Sequence, residues 1–380
     1  MHFELNFSPL IIFKENGIFE IGEYIKGYGK KLLFIYGKNS LKKSNKYQII
    51  IDSLKKSNID FVEYSGIKNE PDPDLVDSVV AFCEKNNIDF ILAIGGGSVI
   101  DTAKAASALI TNKKGIENYL ENVGLNYKIE NTPVPWIAVP TTSGSGAEVT
   151  KNSVITSYKK KYKKSFRDSR LLARMVLADP MLTLSLPQKE TAFGGMDALC
   201  QLIESYTTKK RNNYCMSLSL YFIPIAIKSL KTLASNLLDT GARKNMLQAS
   251  IASGITLANS GLGAVHGFAS GIGGMFDIPH GLICAILLPH IIKFNSDRDK
   301  NIYADIVNYY YKDSSNNIVK FIDEIFELNK ILNIPYDFKE FKIDKNLAEE
   351  IIERSTGSSM SGNPISFNPE ELKKFIENLL

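Results

Sequence analysis

Between residues 31 and 178 the sequence alternates between two periods, and that alternation limits the fold more than any other feature. Short β-rich runs at Lys31 to Gly37, Asp60 to Tyr64, Asp89 to Gly95, Trp136 to Thr141 and Met175 to Ala178 are separated, in several cases, by amphipathic segments of helix length. Repetition of strand, helix and strand builds a mainly parallel sheet covered by helices. In such a sheet a ligand crevice opens beyond the carboxyl ends of the strands. After Pro187 the strand-like runs largely disappear, and helical patterns take over at Glu190 to Thr207, Tyr214 to Leu238 and Ala242 to Ala258. This predicts an α/β domain over residues 1–187 and an all-helical domain over 188–380. No long flexible linker joins them, so they are expected to pack around a shared cleft, where active sites tend to sit.

Composition narrows the class. Apolar residues make up 44% of the chain and charged residues 23%, which describes an ordinary globular protein and excludes collagen-like or wholly disordered readings. The net charge of +4 comes mainly from scattered lysines, so nucleic acid is not implied as a partner. Cys83, Cys200, Cys215 and Cys284 form no C-x-x-C pair and read as reduced, mostly buried thiols. The apolar run from Pro9 to Phe13 lacks a preceding basic segment, and the run from Ile283 to Ile292 is interrupted by Pro289 and His290. Neither resembles a secretion signal or a membrane span of about 18 apolar residues. A cytosolic protein is expected. The lysine-rich stretch Lys159 to Lys164 reads as a solvated hairpin rather than an anion patch.

Two loops carry the signature of a nucleotide site. In ILAIGGGSVIDTAKAASAL, Gly95, Gly96 and Gly97 follow a buried strand, Ser98 stands at the expected N-cap and a good helix follows. Three glycines let a ligand approach the main chain, and a helix N-terminus offers about half a positive charge to a pyrophosphate. A plain tight turn would need one glycine. The segment is neither G-x-G-x-x-G nor a P-loop, so the cradle is atypical. A second loop, Val139 to Thr150, combines the hydroxyls of Thr141, Thr142, Ser143 and Ser145 with Gly144 and Gly146. Such groups suit phosphate, ribose or a nicotinamide amide, although a Ser/Gly loop without a ligand has the same composition.

A third constellation lies in the second half. Asp197 and Gln201 are four residues apart on one face of a predicted helix, with Glu204 on the next turn of that face. His266 and His280 fall in one glycine-rich stretch. Asp, His and His are competent ligands for a divalent cation acting as a Lewis acid, while a lone histidine in an apolar stretch is more often a hydrogen-bonded core residue. His290 is read in that second way, and His2 is terminal.

Taken together, GGGSVID-x-AK from Gly95, PTTSGSGAEVT from Pro140, LADP from Leu177, GGMDAL from Gly194 and IPHG-x-x-x-AILLPH from Ile278 resemble the iron-containing (group III) alcohol dehydrogenases. The resemblance spans nearly the whole chain and extends to SSMSGNPI from Ser358. It implies an N-terminal α/β Rossmann-like dinucleotide-binding domain and an all-α C-terminal domain, the fold shared with dehydroquinate synthase. The implied enzyme is a homodimer that interconverts a small alcohol and its aldehyde or ketone with NADP or NAD. The resemblance assigns Gly95, Gly96, Gly97, Ser98 and Asp101 to the cofactor loop, and Thr141, Thr142 and Ser145 to the second loop. Asp197, His266 and His280 fall on three family metal positions, for Fe2+ or Zn2+. At the fourth, where most members have histidine, this chain has Gln201, a neutral and weaker ligand for these ions. Ser270 replaces another histidine found in many members, and is a poorer proton relay.

Gly37 occupies the position where NAD-preferring members often carry an aspartate. With Lys38, Asn39 and Ser40 following, this favours NADPH. Phe268, Met275 and Phe276 are candidates for the pocket wall, and Lys151, Lys164 and Arg167 could favour an acidic aldehyde. Three alternatives stay open: a metal-independent reductase of an acidic carbonyl, of the maleylacetate or phosphonoacetaldehyde type, in which Gln201, His266 and His280 donate hydrogen bonds to the developing alkoxide; a dehydroquinate synthase-like lyase; and a non-catalytic nucleotide-binding protein.

Overall fold

The fold is taken from a computed structural model that describes residues 3–5, 9–38, 40–67, 70–313 and 317–380; His2 and Asn39 lie outside the described residues. The first half contains strands β1 (Leu10–Phe13), β2 (Lys31–Gly37), β3 (Asp60–Ile67), β4 (Phe90–Gly95), β5 (Trp136–Pro140), β6 (Asn152–Ser157), β7 (Tyr162–Arg167) and β8 (Met175–Ala178). Six of them form one parallel sheet in the order β1-β8-β5-β4-β2-β3, and β6 and β7 pair as an antiparallel hairpin. Helices α1 (Ile21–Ile25), α2 (Lys46–Lys56), α3 (Pro73–Lys85) and α4 (Gly97–Leu109) cover the sheet. Alternate residues of each central strand serve opposite faces. Leu33, Ile35, Ile91 and Ala93 pack with Val79, Ala103 and Ala106 of α3 and α4. Leu32, Phe34, Leu92 and Ile94 pack with Ile21, Ile50 and Leu54 of α1 and α2. Burial on both faces explains why these strands read as continuous apolar runs.

The second half, among its described residues, contains helices only: α5 (Gln188–Thr207), α6 (Asn213–Ser235), α7 (Thr240–Ser260), α8 (Ala264–Met275), α9 (His280–Arg298), α10 (Ala304–Tyr311), α11 (Ile318–Ile331), α12 (Ala348–Ser355), α13 (Ser358–Gly362) and α14 (Pro369–Leu379). Their apolar faces form a second core, while Leu247 and Ile251 of α7 join the sheet-side core and tie the two halves together. The strand order reverses between β2 and β4, so the crevice of this sheet lies beyond Gly37 and Gly95.

Two local differences from the sequence-based expectations have physical causes. The run from Pro9 to Phe13 supplies β1, an edge strand that pairs, among the described residues, with β8, which is far away in sequence, so no hairpin signal marks it. Ser98 is not the N-cap of α4. Gly96 is, in an extended conformation, and Ser98 sits inside the first turn, where its carbonyl accepts from Thr102 Oγ1 at 2.7 Å.

A buried polar strut fixes the second loop to α4. The Lys104 ammonium donates to the Ala147 carbonyl at 2.7 Å, Thr150 Oγ1 at 3.0 Å and the Asn152 carbonyl at 2.6 Å. Nearby, Glu148 is buried with Oε1 lacking a hydrogen-bond partner among the described residues, and burial pushes its carboxyl up from 4.5 to about 7. A carboxyl raised on folding holds a proton that the unfolded chain releases. Its effect is therefore to lower stability as pH rises from about 4.5 to about 7, by roughly 3 kcal/mol in total. Glu148→Gln should flatten that part of the pH profile and make the protein more stable than the parent at pH 8, as read by denaturant melts across pH 5 to 8. An unaltered slope would assign the titration to another group.

Candidate active site

One face of α5 carries Asp197, Gln201 and Glu204, all buried. Glu204 organises the start of α8, which begins after a glycine and has no side-chain cap of its own. Its carboxylate accepts from the amides of Val265 at 2.7 Å and His266 at 3.4 Å, while Asn363 Oδ1 accepts from the amide of Ala264 at 3.3 Å. The orphan amides of the helix start are thus satisfied from other elements. The tail segment around Asn363 is needed here because α8 begins in the interior.

The same Glu204 carboxylate holds His266 Nδ1 at 2.7 Å, which leaves Nε2 facing Asp197 Oδ1 at 3.1 Å. His280, the first residue of α9, places Nε2 at 3.9 Å from Asp197 Oδ1, and its Nδ1 is buried without a hydrogen-bond partner among the described residues. Cys284 lies one turn further along α9, with Sγ 3.8 Å from His266 Nε2 and 3.7 Å from His280 Nε2. One donor atom from each of Asp197, His266, His280 and Cys284 falls within 4.8 Å of the others.

Protonation follows from burial and neighbours. Burial pulls His280 down to about 4, helped by the Lys163 charge, so it presents neutral nitrogen lone pairs at physiological pH. Burial opposes ionisation of Asp197, but the His266 hydrogen bond, with the positive charge around it, outweighs it and holds the carboxyl below its ordinary range. Burial likewise works against charge on His266; Cys284 and the Asp197 and Glu204 carboxylates outweigh it, lifting the imidazole well above its usual value. A carboxylate, a neutral imidazole, a second imidazole oriented by a carboxylate and a thiol, converging in a buried space, are the donor set of a divalent transition-metal site. The residues fit such an ion.

The two glycine loops meet beside this cluster. A Cβ on Gly96 would lie 3.1 Å from Thr142 Cγ2, and one on Gly97 would lie 3.0 Å from Ser145 Oγ. The second loop is in turn pressed against the helical half. A Cβ on Gly144 would approach the Gly194 main chain of α5 to 2.9 Å, and one on Gly146, where φ is +61°, would approach the Gly254 main chain of α7 to 2.6 Å. Gln201 connects the loop to the cluster: its Nε2 reaches the Ser145 carbonyl and Asp197 Oδ1, both at 3.3 Å. An amide beside a carboxylate must turn its NH2 towards it, and the Gln201 carbonyl accordingly faces away and accepts from Ser253 Oγ at 2.8 Å.

The structure brings Gly95, Gly96, Gly97, Thr142, Ser145, Asp197, Gln201, His266 and His280 into one region. Thr141 stands at its edge, its amide donating to the Gly95 carbonyl at 3.0 Å. Gly37 ends β2, with Val99 of α4 3.9 Å from where its Cβ would be, and Lys38 and Ser40 follow on the surface. Asp101 is buried with its carboxylate held by the Val154 amide at 3.2 Å and Lys104 Nζ at 3.4 Å, which makes it an anchor between α4 and β6. Ser270 Oγ donates to the Lys163 carbonyl at 3.1 Å. Phe268 is fully buried among Phe367 and Phe375, so it belongs to the helical core and not to a pocket wall; Met275 and Phe276 are partly buried against that core. Arg167 pairs with Glu121 at 3.2 Å. His290 bonds the Tyr336 carbonyl at 2.9 Å, away from the cluster.

Two residues of the site were not singled out from sequence. Cys284 reads as an inert thiol when cysteines are judged by their mutual spacing, although its position four residues after His280 on one helix was visible. Lys163 reads as part of a solvated hairpin, yet its side chain is 9% exposed and paired with Glu70, whose other oxygen accepts from Thr156 Oγ1 at 2.6 Å. That pairing joins distant segments and has no local signal.

Residues 8–180 match the family described as iron-containing alcohol dehydrogenase, and residues 191–380 match the C-terminal part of the same family. The chain is 31% identical over 362 residues to an NADPH-dependent butanol dehydrogenase of Clostridium saccharobutylicum, covering 92% of this chain and 91% of that protein. It is 32% identical over 303 residues to a 1,3-propanediol dehydrogenase of Citrobacter freundii, covering 78% and 76% respectively. A solved alcohol dehydrogenase from Oenococcus oeni superimposes with a TM-score of 0.91 at 28% identity, covering all of both chains. The glycine cradle, the second loop and the buried donor cluster thus stand in a chain that belongs to the iron-containing alcohol dehydrogenase family, an NAD(P)-dependent oxidoreductase that interconverts alcohols and their carbonyl counterparts.

Proposed function

We propose that this enzyme reduces a small aldehyde with NADPH in the cleft between its two halves, with a divalent cation held by Asp197, His266 and His280. The observation that carries this reading is the convergence of those three side chains beside a loop that touches both the glycine cradle and Gln201. When bound, the nicotinamide supplies the hydride, and the cation supplies Lewis-acid polarisation of the carbonyl oxygen, worth several kcal/mol.

The chain's own residues prepare both. Glu204 fixes the His266 tautomer and ring, leaving Nε2 as the donor. Gln201 steadies Asp197 through its amide and registers it against Ser145. Gly96 and Gly97 leave room for a pyrophosphate at the start of α4, where no side chain competes for the helix N-terminus. NADPH is favoured over NADH because β2 ends in Gly37, which offers no carboxylate to repel a 2′-phosphate, and Lys38 and Ser40 follow it. With its hydroxyl committed to the Lys163 main chain, Ser270 leaves the final proton to a water or a substrate hydroxyl.

We also read the enzyme as a cytosolic homodimer. Its four cysteines are free and buried, β1 leaves one edge of the sheet open with Leu10 60% exposed, and no helix among the described residues is long and apolar enough to cross a membrane.

The test is oxidation of NADPH and NADH with a panel of aldehydes, before and after chelation, and after addition of Fe2+, Zn2+ or Mn2+. Turnover should favour NADPH, fall at least ~100-fold on chelation and return with metal. Turnover indifferent to chelation would reject the Lewis-acid role and leave hydrogen bonds from Gln201 and the histidines to stabilise the alkoxide.

A further inference from the structure

The donor set contains one member that the proposed mechanism does not use. Cys284 is buried, lies one helical turn after His280 on α9, and turns its sulfur between two imidazole nitrogens. Two imidazoles and a carboxylate could enclose a cation without it. The separations place the thiol within reach of the same ion. A tetrahedral ion with metal–sulfur bonds of about 2.3 Å and metal–nitrogen bonds of about 2.0 Å sets sulfur and nitrogen roughly 3.5 Å apart. Cys284 Sγ stands 3.8 and 3.7 Å from the two Nε2 atoms, and Asp197 Oδ1 stands 3.1 and 3.9 Å from the same atoms. These four separations are close to the edges of a tetrahedral site, and all four atoms lie within 4.8 Å of one another. Gln201 offers no rival donor in this arrangement, since its carbonyl is bonded to Ser253 and its NH2 faces the Asp197 carboxylate.

We propose that Cys284 is the fourth protein ligand of the cation, binding as a thiolate together with Asp197, His266 and His280. This rests on the reading that the cluster holds a divalent ion. The step is an exchange without redox change: the S–H bond breaks, its proton leaves to water, and the sulfur lone pair forms the bond to the metal. With two anionic ligands the bound site is neutral overall, where one carboxylate and neutral donors would leave it at +1. A soft thiolate shifts selectivity towards zinc and cobalt and away from magnesium and manganese. It also makes the loaded site a milder Lewis acid.

Cobalt(II) gives a readout that does not depend on activity. The full-length enzyme is stripped with a chelator, reloaded with Co2+ and examined by absorption. The parent should show a near-ultraviolet thiolate-to-cobalt charge-transfer band beside intense visible bands of a four-coordinate ion. Cys284→Ser should lose the charge-transfer band, keep visible bands and bind Co2+ at least ~10-fold more weakly. Gln201→Ala should keep the charge-transfer band, and a circular dichroism melt of each variant shows whether the fold is retained.

A parent spectrum with visible bands but no charge-transfer band overturns the proposal while leaving the metal reading intact. So does a Cys284→Ser protein with the parent spectrum. Should Cys284→Ser not fold, the parent's own charge-transfer band decides the matter, because among the described residues no other cysteine has its sulfur in the cluster. A parent that binds no Co2+ at all overturns both.

Discussion

His280→Ala is expected to lower kcat/KM for aldehyde reduction by roughly 10³-fold or more, with little change in melting temperature. The first part follows from removing a donor from an ion whose polarisation of the carbonyl is worth several kcal/mol. The second follows from what the deletion leaves behind. His280 is neutral at physiological pH and its Nδ1 has no hydrogen-bond partner among the described residues, so its loss uncovers no buried charge and gives up only the long contact with Cys284 Sγ at 3.7 Å. Asp197 keeps His266 at 3.1 Å and the Gln201 amide at 3.3 Å. His266→Ala is a poorer probe, because it strands the buried carboxylates of Asp197 and Glu204 together, and an uncompensated buried charge costs about 3 to 5 kcal/mol. Glu204→Gln lies between them: it should weaken metal affinity about 10- to 100-fold by loosening His266. Metal content after dialysis, NADPH turnover and thermal melts of the three variants check the order. Full activity in metal-free His280→Ala would remove the cation from the mechanism.

How much of this was legible in the sequence depends on how local each signal is. The cradle is local: a buried strand must read as an apolar run, the turn needs glycines, and α4 starts at once. The face of α5 that carries Asp197, Gln201 and Glu204 is set by helical period alone. What period and spacing do not give is the partner across space. Glu204 was visible as a face residue, but its role as the cap of α8 and the orienter of His266 depends on how α5 and α8 cross. The Gln201 carbonyl was open to a metal on paper; Ser253, on another helix, occupies it. Lys163 and Glu70 meet only because the β6–β7 hairpin packs beside the segment that leads into α3, with Thr156 bonded to Glu70 and to the Pro71 carbonyl. The family resemblance pointed to Asp197, His266 and His280, three of the four side chains of the buried donor cluster, and, by the same token, drew attention away from Cys284.

Gly97→Val should affect cofactor and metal together, which separates a jointed site from two independent ones. Gly97 is helical, so valine meets only a small backbone penalty there, and the effect is steric. A Cβ alone would sit 3.0 Å from Ser145 Oγ, a hydroxyl that can rotate aside, so Gly97→Ala should lose about 10-fold at most. Valine adds two methyl groups, and the second loop has nowhere to retreat: behind it the Gly144–Gly194 and Gly146–Gly254 contacts are main chain against main chain. Either the start of α4 moves, and the pyrophosphate cradle with it, or Ser145 moves and releases the Gln201 amide that steadies Asp197. A displacement of about 1 Å at a reacting centre is worth about 100-fold. The expected result is therefore a loss of at least ~100-fold in kcat/KM, shared between a higher KM for NADPH and a lower kcat, with weaker retention of metal. If only the KM for NADPH rises and metal affinity stays at the parental value, the second loop positions the cofactor alone, and the link through Gln201 carries no coupling.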